Sequence, residues 1–112
     1  MSKKELDIIK DKEGDKIESR IKDSYVIALA IKGIMFTSEE LANKIEDIKT
    51  YNSSHITFII GGSLGLAKSI LRKANLKMSF SEMTFPHQLM RLILLEQVYR
   101  SFRINNNEPY HK

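Results

Sequence analysis

Residues 55–62 read HITFIIGG, and this stretch decides the fold. Apolar and β-branched residues run without interruption from Ile56 to Ile60, and two glycines then stop the run abruptly. An unbroken run of this kind is typical of a strand that is covered on both faces, as in a parallel sheet. The glycines place a turn where that strand ends.

The segments around this strand alternate between strand and helix patterns. Residues 25–31 (YVIALAI) are a second apolar run, and residues 78–80 are predicted to form a short third strand. Three helices are predicted. The first begins at Thr37 and Glu40, which have capping-box spacing, and the other two span residues 64–73 and 86–104. Strands alternating with helices predict a single α/β domain with a mostly parallel sheet and flanking helices.

The amino-terminal segment has a different pattern. Apolar residues such as Leu6, Ile9, Ile17 and Ile21 recur among many charged ones. This spacing predicts an exposed amphipathic helix over residues 2–21.

The composition limits the class of protein. The chain has no cysteine, which excludes disulfides and thiolate metal sites, and its apolar runs are far too short to span a bilayer. His55, His87 and His111 show no metal-ligand spacing, so we expect no metal. With no signal peptide visible, a cytoplasmic location without a membrane partner is expected.

The basic residues are concentrated in the second half of the chain. Residues 1–67 contain 10 Lys/Arg against 11 Asp/Glu, whereas residues 68–112 contain 8 against 3. A basic half of this kind suits contact with a polyanion, and it is equally typical of a solvated basic surface.

The carboxyl ends of the predicted strands indicate where a ligand binds, because ligands of open α/β sheets lie in the crevice beyond those ends. The ends fall at residues 29–33, 61–62 and 80–85. Gly61 and Gly62 alone are typical of a tight turn as well as of a cofactor site, and their spacing matches neither the dinucleotide pattern nor a P-loop.

The predicted helix over 86–104 is apolar almost all round its circumference. The terminal helix of a small domain cannot bury that many faces by itself. We therefore expect a homodimer formed through this helix.

Four segments together resemble one known family. They are residues 58–62 (FIIGG), 84–87 (TFPH), 96–100 (EQVYR) and 109–112 (PYHK). The chain resembles the ribosomal RNA large subunit methyltransferase H family from Lys3 onward. That resemblance implies a SPOUT-type trefoil-knotted fold, a homodimer, S-adenosyl-L-methionine as cofactor, and transfer of its methyl group to N3 of a pseudouridine in large-subunit ribosomal RNA.

The resemblance also implies the site residues. With the helix over 2–21 predicted above, we expect one SPOUT domain over residues 1–112, with a cofactor-binding core over 24–104 and a functional tail over 105–112. The implied cofactor-binding residues are Leu29, Gly61, Gly62, Phe80, Ser81, Glu82, Met83, Thr84 and Phe85. The implied catalytic residues are Arg100, Tyr110 and His111.

Each of these catalytic roles has a chemical reason. Tyr110 and His111 are the expected proton acceptors, and Arg100 is expected to hold a phosphate or the cofactor carboxylate. Without the resemblance, His111 reads as a disordered terminal residue.

One feature departs from the family pattern. Family members usually begin with a further strand and helix, so the chain is expected to be amino-terminally truncated. This leaves a second hypothesis open, a catalytically impaired remnant that dimerises and binds cofactor or RNA without turnover. A nucleotide-binding regulator that uses the Gly61-Gly62 turn is a more distant third.

Overall fold

The computed structural model describes residues 6–10, 23–60 and 68–110, with only the backbone described at 6–10 and 68–70. The strands are β1 (Leu6–Lys10), β2 (Tyr25–Met35), β3 (Ile56–Ile60) and β4 (Leu76–Ser79). The helices are α1 (Ser38–Tyr51), α2 (Lys68–Lys73) and α3 (His87–Asn105).

The four strands form one parallel sheet in the order β1-β3-β2-β4. In register, Ile56 of β3 pairs with Leu6 of β1 and Tyr25 of β2, and Ile27 of β2 pairs with Leu76 of β4. The predicted α/β class with a parallel sheet is therefore confirmed. Because all strands run the same way, their carboxyl ends lie at one edge.

The predicted helix over 2–21 is wrong at Leu6–Lys10, which form the edge strand β1. The rest of that prediction lies outside the described residues. The periodicity of charged and apolar residues favoured a helix, but pairing with the backbone of β3 satisfies the hydrogen bonds of β1 instead. Such tertiary pairing overrides a weak local preference.

The strand β3 is buried along its whole length, as its unbroken apolar sequence predicted. On one face of the sheet, Ile27, Phe58 and Met78 pack in a core cluster with residues of α1 and α3. On the opposite face, Ala28 and Ile59 are also fully buried. The sheet is therefore covered on both faces at its centre.

Helix α1 begins where the sequence predicted. The Thr37 side chain accepts a hydrogen bond from the Glu40 amide at 3.1 Å, and the Glu40 carboxylate accepts one from the Thr37 amide at 2.7 Å. This reciprocal pair is a capping box, which satisfies amide groups that the first turn of a helix leaves without partners. Leu41, Ile45 and Ile48 then face the core.

The strand β2 continues four residues beyond its predicted end at Ile31. Its pairing with β4 shifts between Leu29 and Ile34, both of which align with Met78. Gly33 lies inside this irregularity, where a Cβ atom would stand 2.6 Å from the carbonyl carbon of Met78. The two backbones approach so closely that only glycine fits.

No helix in the described ranges, 6–10, 23–60 and 68–110, is both long and apolar enough to cross a lipid bilayer.

Candidate active site

A cavity of about 290 Å³ opens at the carboxyl ends of β2 and β4, where the crevice argument predicted a ligand. Its wall combines aromatic and aliphatic side chains with hydroxyl and amide groups. The lining residues are Phe36, Thr37, Ser38, Leu41, Met78, Ser79, Phe80, Ser81, Phe85, Ile93 and Gln97.

The loop after β4 contributes three of the predicted cofactor-binding residues to this wall, Phe80, Ser81 and Phe85. The other three predicted residues of the loop, Glu82, Met83 and Thr84, are exposed and do not line the cavity. The two ends of the loop therefore face the cavity, whereas its middle, residues 82–84, is exposed to solvent.

Two serines set the conformation of this loop. The Ser79 hydroxyl donates to the Ser81 carbonyl at 2.9 Å and accepts from the Ser81 amide at 3.2 Å. The Ser81 hydroxyl in turn accepts from the Met83 amide at 2.9 Å. Side-chain hydrogen bonds of this local kind hold a turn without regular secondary structure.

Leu29 has a different position from the one predicted. It is 7% exposed and belongs to the core cluster, and it does not line this cavity. It aligns with Ile60 of β3 on one side and with Met78 of β4 on the other. Leu29 therefore lies beside the last residue of β3 and close to the end of β4, but six residues before β2 ends at Met35. Gly61 and Gly62 lie outside the described residues.

The sequence reading missed the opposite wall of the cavity. Ser38, at the start of α1, donates a hydrogen bond from its hydroxyl to Oε1 of Gln97 on α3 at 2.8 Å. Neither residue was predicted to line the site. Extending β2 to Met35 would have placed Phe36 and Ser38 at a strand end, whereas Gln97 lies in the segment 96–100 that carries the resemblance, from which only Arg100 was assigned a role.

Next to Gln97, an ion pair holds the side chain of Arg100. Nε of Arg100 lies 3.0 Å from Oε1 and 3.2 Å from Oε2 of Glu96, and its Nη2 lies 3.0 Å from Oε1. The hydrogen bond with Glu96 raises the pKa of Arg100 above its ordinary value, which partial burial opposes. The guanidinium therefore stays charged at any pH of interest.

The tail after α3 folds back against this arginine. The Arg100 guanidinium lies 4.8 Å from the centroid of the Tyr110 ring, and that ring meets Tyr99 edge to face at 5.1 Å. Cation–π and edge-to-face contacts of this kind are each attractive. The structure thus brings two of the three predicted catalytic residues together, while His111 lies outside the described residues.

A reversal of the chain makes this contact possible. Asn107 has φ of 57°, a left-handed conformation that asparagine tolerates better than most residues. The Glu108 amide then donates to the Arg103 carbonyl at 2.8 Å, and a Glu108 carboxylate oxygen lies 2.9 Å from Nε of Arg103. The N–H of Nε is not directed at this oxygen, so the side-chain contact is an ion pair without a hydrogen bond.

His87 lies at the first position of α3, and its buried Nε2 has no hydrogen-bond partner among the described residues.

Within those same residues, no group of three or more His, Cys, Asp or Glu side chains is placed to hold a metal ion.

The outer face of α3 exposes an apolar stripe. Leu94, Val98 and Ser101 face the core, whereas Leu89, Leu92, Leu95 and Tyr99 are between 41% and 63% exposed. Helix α3 therefore carries apolar side chains on its exposed face as well as on its buried face, as its sequence predicted.

Comparison with known proteins agrees with the fold. The chain matches, over residues 1–111, a family described as predicted SPOUT methyltransferase. It is 60% identical to the ribosomal RNA large subunit methyltransferase H of Bacillus pumilus and 61% identical to that of Clostridioides difficile, each over 113 residues. The protein of the same name from Finegoldia magna is 62% identical over 113 residues.

All three alignments cover 100% of this chain and 71% of the relative. The resemblance drawn from residues 58–62, 84–87, 96–100 and 109–112 is confirmed. The chain belongs to the SPOUT methyltransferase family.

Proposed function

We propose that this chain is an S-adenosyl-L-methionine-dependent methyltransferase that methylates N3 of a pseudouridine in large-subunit ribosomal RNA. Family membership and the names of the relatives support methyl transfer to large-subunit ribosomal RNA. The observation that carries the proposal is that the cavity and the Arg100–Tyr110 contact are joined through consecutive residues of α3, because Gln97 lines the cavity and Glu96 holds Arg100.

The residues of the cavity suit a nucleoside cofactor. Phe36, Phe80 and Phe85 provide the apolar wall that an adenine ring requires, while Ser38 and Gln97 provide polar groups at a second wall. Ligand sites combine a mainly apolar lining with a few placed polar groups, in volumes of about 300–1,000 Å³. At about 290 Å³ the cavity stands at the lower end of that range.

We infer that Gly61, Gly62 and the loop over 80–85 complete the cofactor site. Glycines let a ligand approach the backbone closely, and the loop presents main-chain groups between its two serine-bonded turns. In this arrangement Leu29 supports the site from beneath, because it is buried where β2, β3 and β4 meet.

The bound cofactor supplies an electrophilic methyl group on a sulfonium centre. The chain has to hold the pseudouridine ring in line with that methyl group and to remove the proton from N3. Positioning provides much of the acceleration in a direct transfer of this kind, and a basic group in the tail provides the rest. Tyr110 and His111 are the proposed proton acceptors.

Arg100 has a separate proposed role, which is to bind an anion beside the reacting groups. Its guanidinium carries a fixed positive charge and a planar set of N–H donors, which match a phosphate or carboxylate. Glu96 and Tyr110 hold it at the surface of α3, next to the cavity wall. An RNA phosphate or the carboxylate of the cofactor is the proposed partner.

We further propose that two copies pair through the 86–104 helix. Its stripe of exposed leucines and Tyr99 lies opposite its buried face. Apolar surface of this extent on a small domain is typical of an interface, and a closed twofold dimer is the commonest assembly.

The ribosome is the proposed partner of this dimer, and a cytoplasmic location follows from it. The basic excess lies in residues 68–112, which include the loop over 80–85, Arg100 and Tyr110. A positively charged surface attracts the RNA phosphate backbone. No observation on the described residues favours the alternative of a remnant without turnover.

Titration calorimetry with S-adenosyl-L-methionine and its demethylated product tests the cofactor site. The wild-type chain should bind both saturably, and Gly61→Arg should bind neither because its side chain fills the proposed site. Asn43→Arg, which adds the same charge to the exposed face of α1, serves as the matched control and should bind like the wild type. A folded wild-type chain that binds neither compound would refute the proposed cofactor.

A further inference from the structure

Glu96 contacts a residue of the cavity wall, Gln97, and the arginine on which the tail packs, Arg100. Its Oε1 lies 3.4 Å from Nε2 of Gln97, which lines the cavity, and 3.0 Å from both Nε and Nη2 of Arg100. Arg100 in turn packs on the Tyr110 ring. One carboxylate therefore connects the cavity to the first residue of the proposed catalytic pair.

This ion pair differs from the usual surface pair in its geometry. Exposed pairs four residues apart on a helix contribute little to stability and are often single, mobile contacts. Here Nε of Arg100 reaches both carboxylate oxygens of Glu96, while the Arg100 side chain is only 23% exposed and that of Glu96 37%. Such a forked contact restricts the rotation of a guanidinium and fixes its plane.

The plane of the guanidinium matters because Tyr110 lies against it. The ring centroid is 4.8 Å from the central carbon of the guanidinium, so rotation of Arg100 would remove the surface on which the ring packs. Tyr99 and Arg103 also contact this ring, at 5.1 Å and 5.8 Å. Those contacts retain the tail near α3 but do not orient Arg100.

We propose that Glu96 is a positioning residue for methyl transfer, which orients Arg100 and through it places Tyr110 and the tail beside the cofactor cavity. The proposal rests on the proposed function. It assigns Glu96 no contact with substrate or cofactor, so its effect is transmitted through the side chains that it holds, chiefly Arg100, since its contact with Gln97 is the longer one at 3.4 Å. In this role Arg100 binds an RNA phosphate rather than the cofactor carboxylate, so loss of the Glu96 carboxylate should slow the chemical step and leave cofactor affinity unchanged.

Glu96→Gln is the variant that tests this role, because it preserves the shape of the side chain and removes its charge and second acceptor oxygen. We expect kcat to fall by about tenfold to 100-fold, which is the effect of a small misplacement of reacting groups. The affinity for S-adenosyl-L-methionine and the melting temperature should stay at wild-type values. Glu46→Gln, at an exposed position of α1, is the matched control and should retain wild-type kcat.

Two further measurements separate positioning from a structural role. The Nε–H resonance of Arg100 in nitrogen-15 NMR spectra should be protected from exchange in the wild type and lose that protection in Glu96→Gln. In an Arg100→Lys background, Glu96→Gln should lower kcat by less than twofold, because residues that act through one another are not additive.

The outcomes are distinguishable. A wild-type kcat in Glu96→Gln, or an undiminished loss in the Arg100→Lys background, would overturn the positioning role while the proposed function stands. A wild-type chain that binds cofactor but transfers no methyl group to large-subunit RNA would overturn both. A kcat loss that vanishes in the Arg100→Lys background supports the inference.

Discussion

Gly33→Ala is the substitution that tests most sharply how β2 and β4 frame the cavity. A Cβ atom at this position would stand 2.6 Å from the carbonyl carbon of Met78 and 2.7 Å from both the Met78 nitrogen and the Lys77 carbonyl carbon. All three atoms belong to the backbone, so no side-chain rotation relieves the contact. Either β2 or β4 has to move.

The cost of such a movement is that of overpacking a close contact, typically about 1–3 kcal/mol. For a domain of 112 residues, each kcal/mol lowers the melting temperature by roughly 4 °C. We therefore expect Gly33→Ala to lower it by about 4–12 °C. Because Phe36 and Ser38 follow the displaced end of β2, cofactor affinity should fall as well.

Circular dichroism during heating measures the change in melting temperature. Titration calorimetry, at a temperature where the variant is folded, measures the change in cofactor affinity. Lys32→Ala, at the preceding exposed position of the same strand, is the matched control and should melt within 2 °C, or about half a kcal/mol, of the wild type. A Gly33→Ala chain that melts like this control and binds cofactor normally would refute the close packing of β2 on β4.

Three further predictions test other parts of the site. Thr37→Ala removes the capping box of α1 and should destabilise the chain by about 1 kcal/mol in a denaturant titration, whereas Thr37→Ser should retain most of that stability; equal loss in both variants would contradict the capping role. Tyr110→Phe, which removes the proposed proton acceptor, should lower kcat, and Tyr110→Ala should lower it further, since phenylalanine preserves the ring contacts with Tyr99 and Arg100; a wild-type kcat in Tyr110→Phe would contradict the hydroxyl as proton acceptor, and equal losses in the two variants would contradict a positioning role of the ring. Leu92→Asp, at a side chain 63% exposed on α3, should convert the dimer to monomer in sedimentation analysis, whereas Asn43→Asp should not, and a wild-type chain that sediments as a monomer would contradict the dimer proposal.

The strand at the centre of the fold was predictable because all of its residues suit the same buried environment. Residues 56–60 are apolar or β-branched throughout and are buried throughout, so pattern and burial coincide. The same holds for the start of α1, where Thr37 and Glu40 form a local motif that depends on no distant residue. Features that are local, or whose residues are all buried, can be predicted from a single sequence.

The errors arose where distant backbone pairing decides the structure. Leu6–Lys10 have a helical arrangement of charges, yet they form a strand because the edge of β3 lies beside them. The extension of β2 to Met35 depends on the close approach of Gly33 to β4, which no local pattern encodes. The trefoil knot stays a prediction for the same reason, because periodicity carries no information on threading.

The residues that line one wall of the cavity were predicted from the sequence, and those of the opposite wall were not. Phe80, Ser81 and Phe85 were predicted from the resemblance and line the cavity, while Ser38 and Gln97 meet only because α1 packs on α3. The side chains of Glu82, Met83 and Thr84, which the resemblance also assigns to the cofactor site, are exposed and do not line the cavity. In such loops the main chain makes many of the contacts.

The most direct test of the account is methyl transfer itself. The purified chain should be incubated with ribosomes that carry an unmethylated pseudouridine and with S-adenosyl-L-methionine labelled with tritium in its methyl group, and the large-subunit RNA should then be digested to nucleosides for mass spectrometry. We expect label in large-subunit RNA, recovered as pseudouridine methylated at N3, and no label when Gly61→Arg replaces the wild type. A folded, cofactor-binding chain that leaves this RNA unlabelled, or that methylates a different nucleoside, would contradict it.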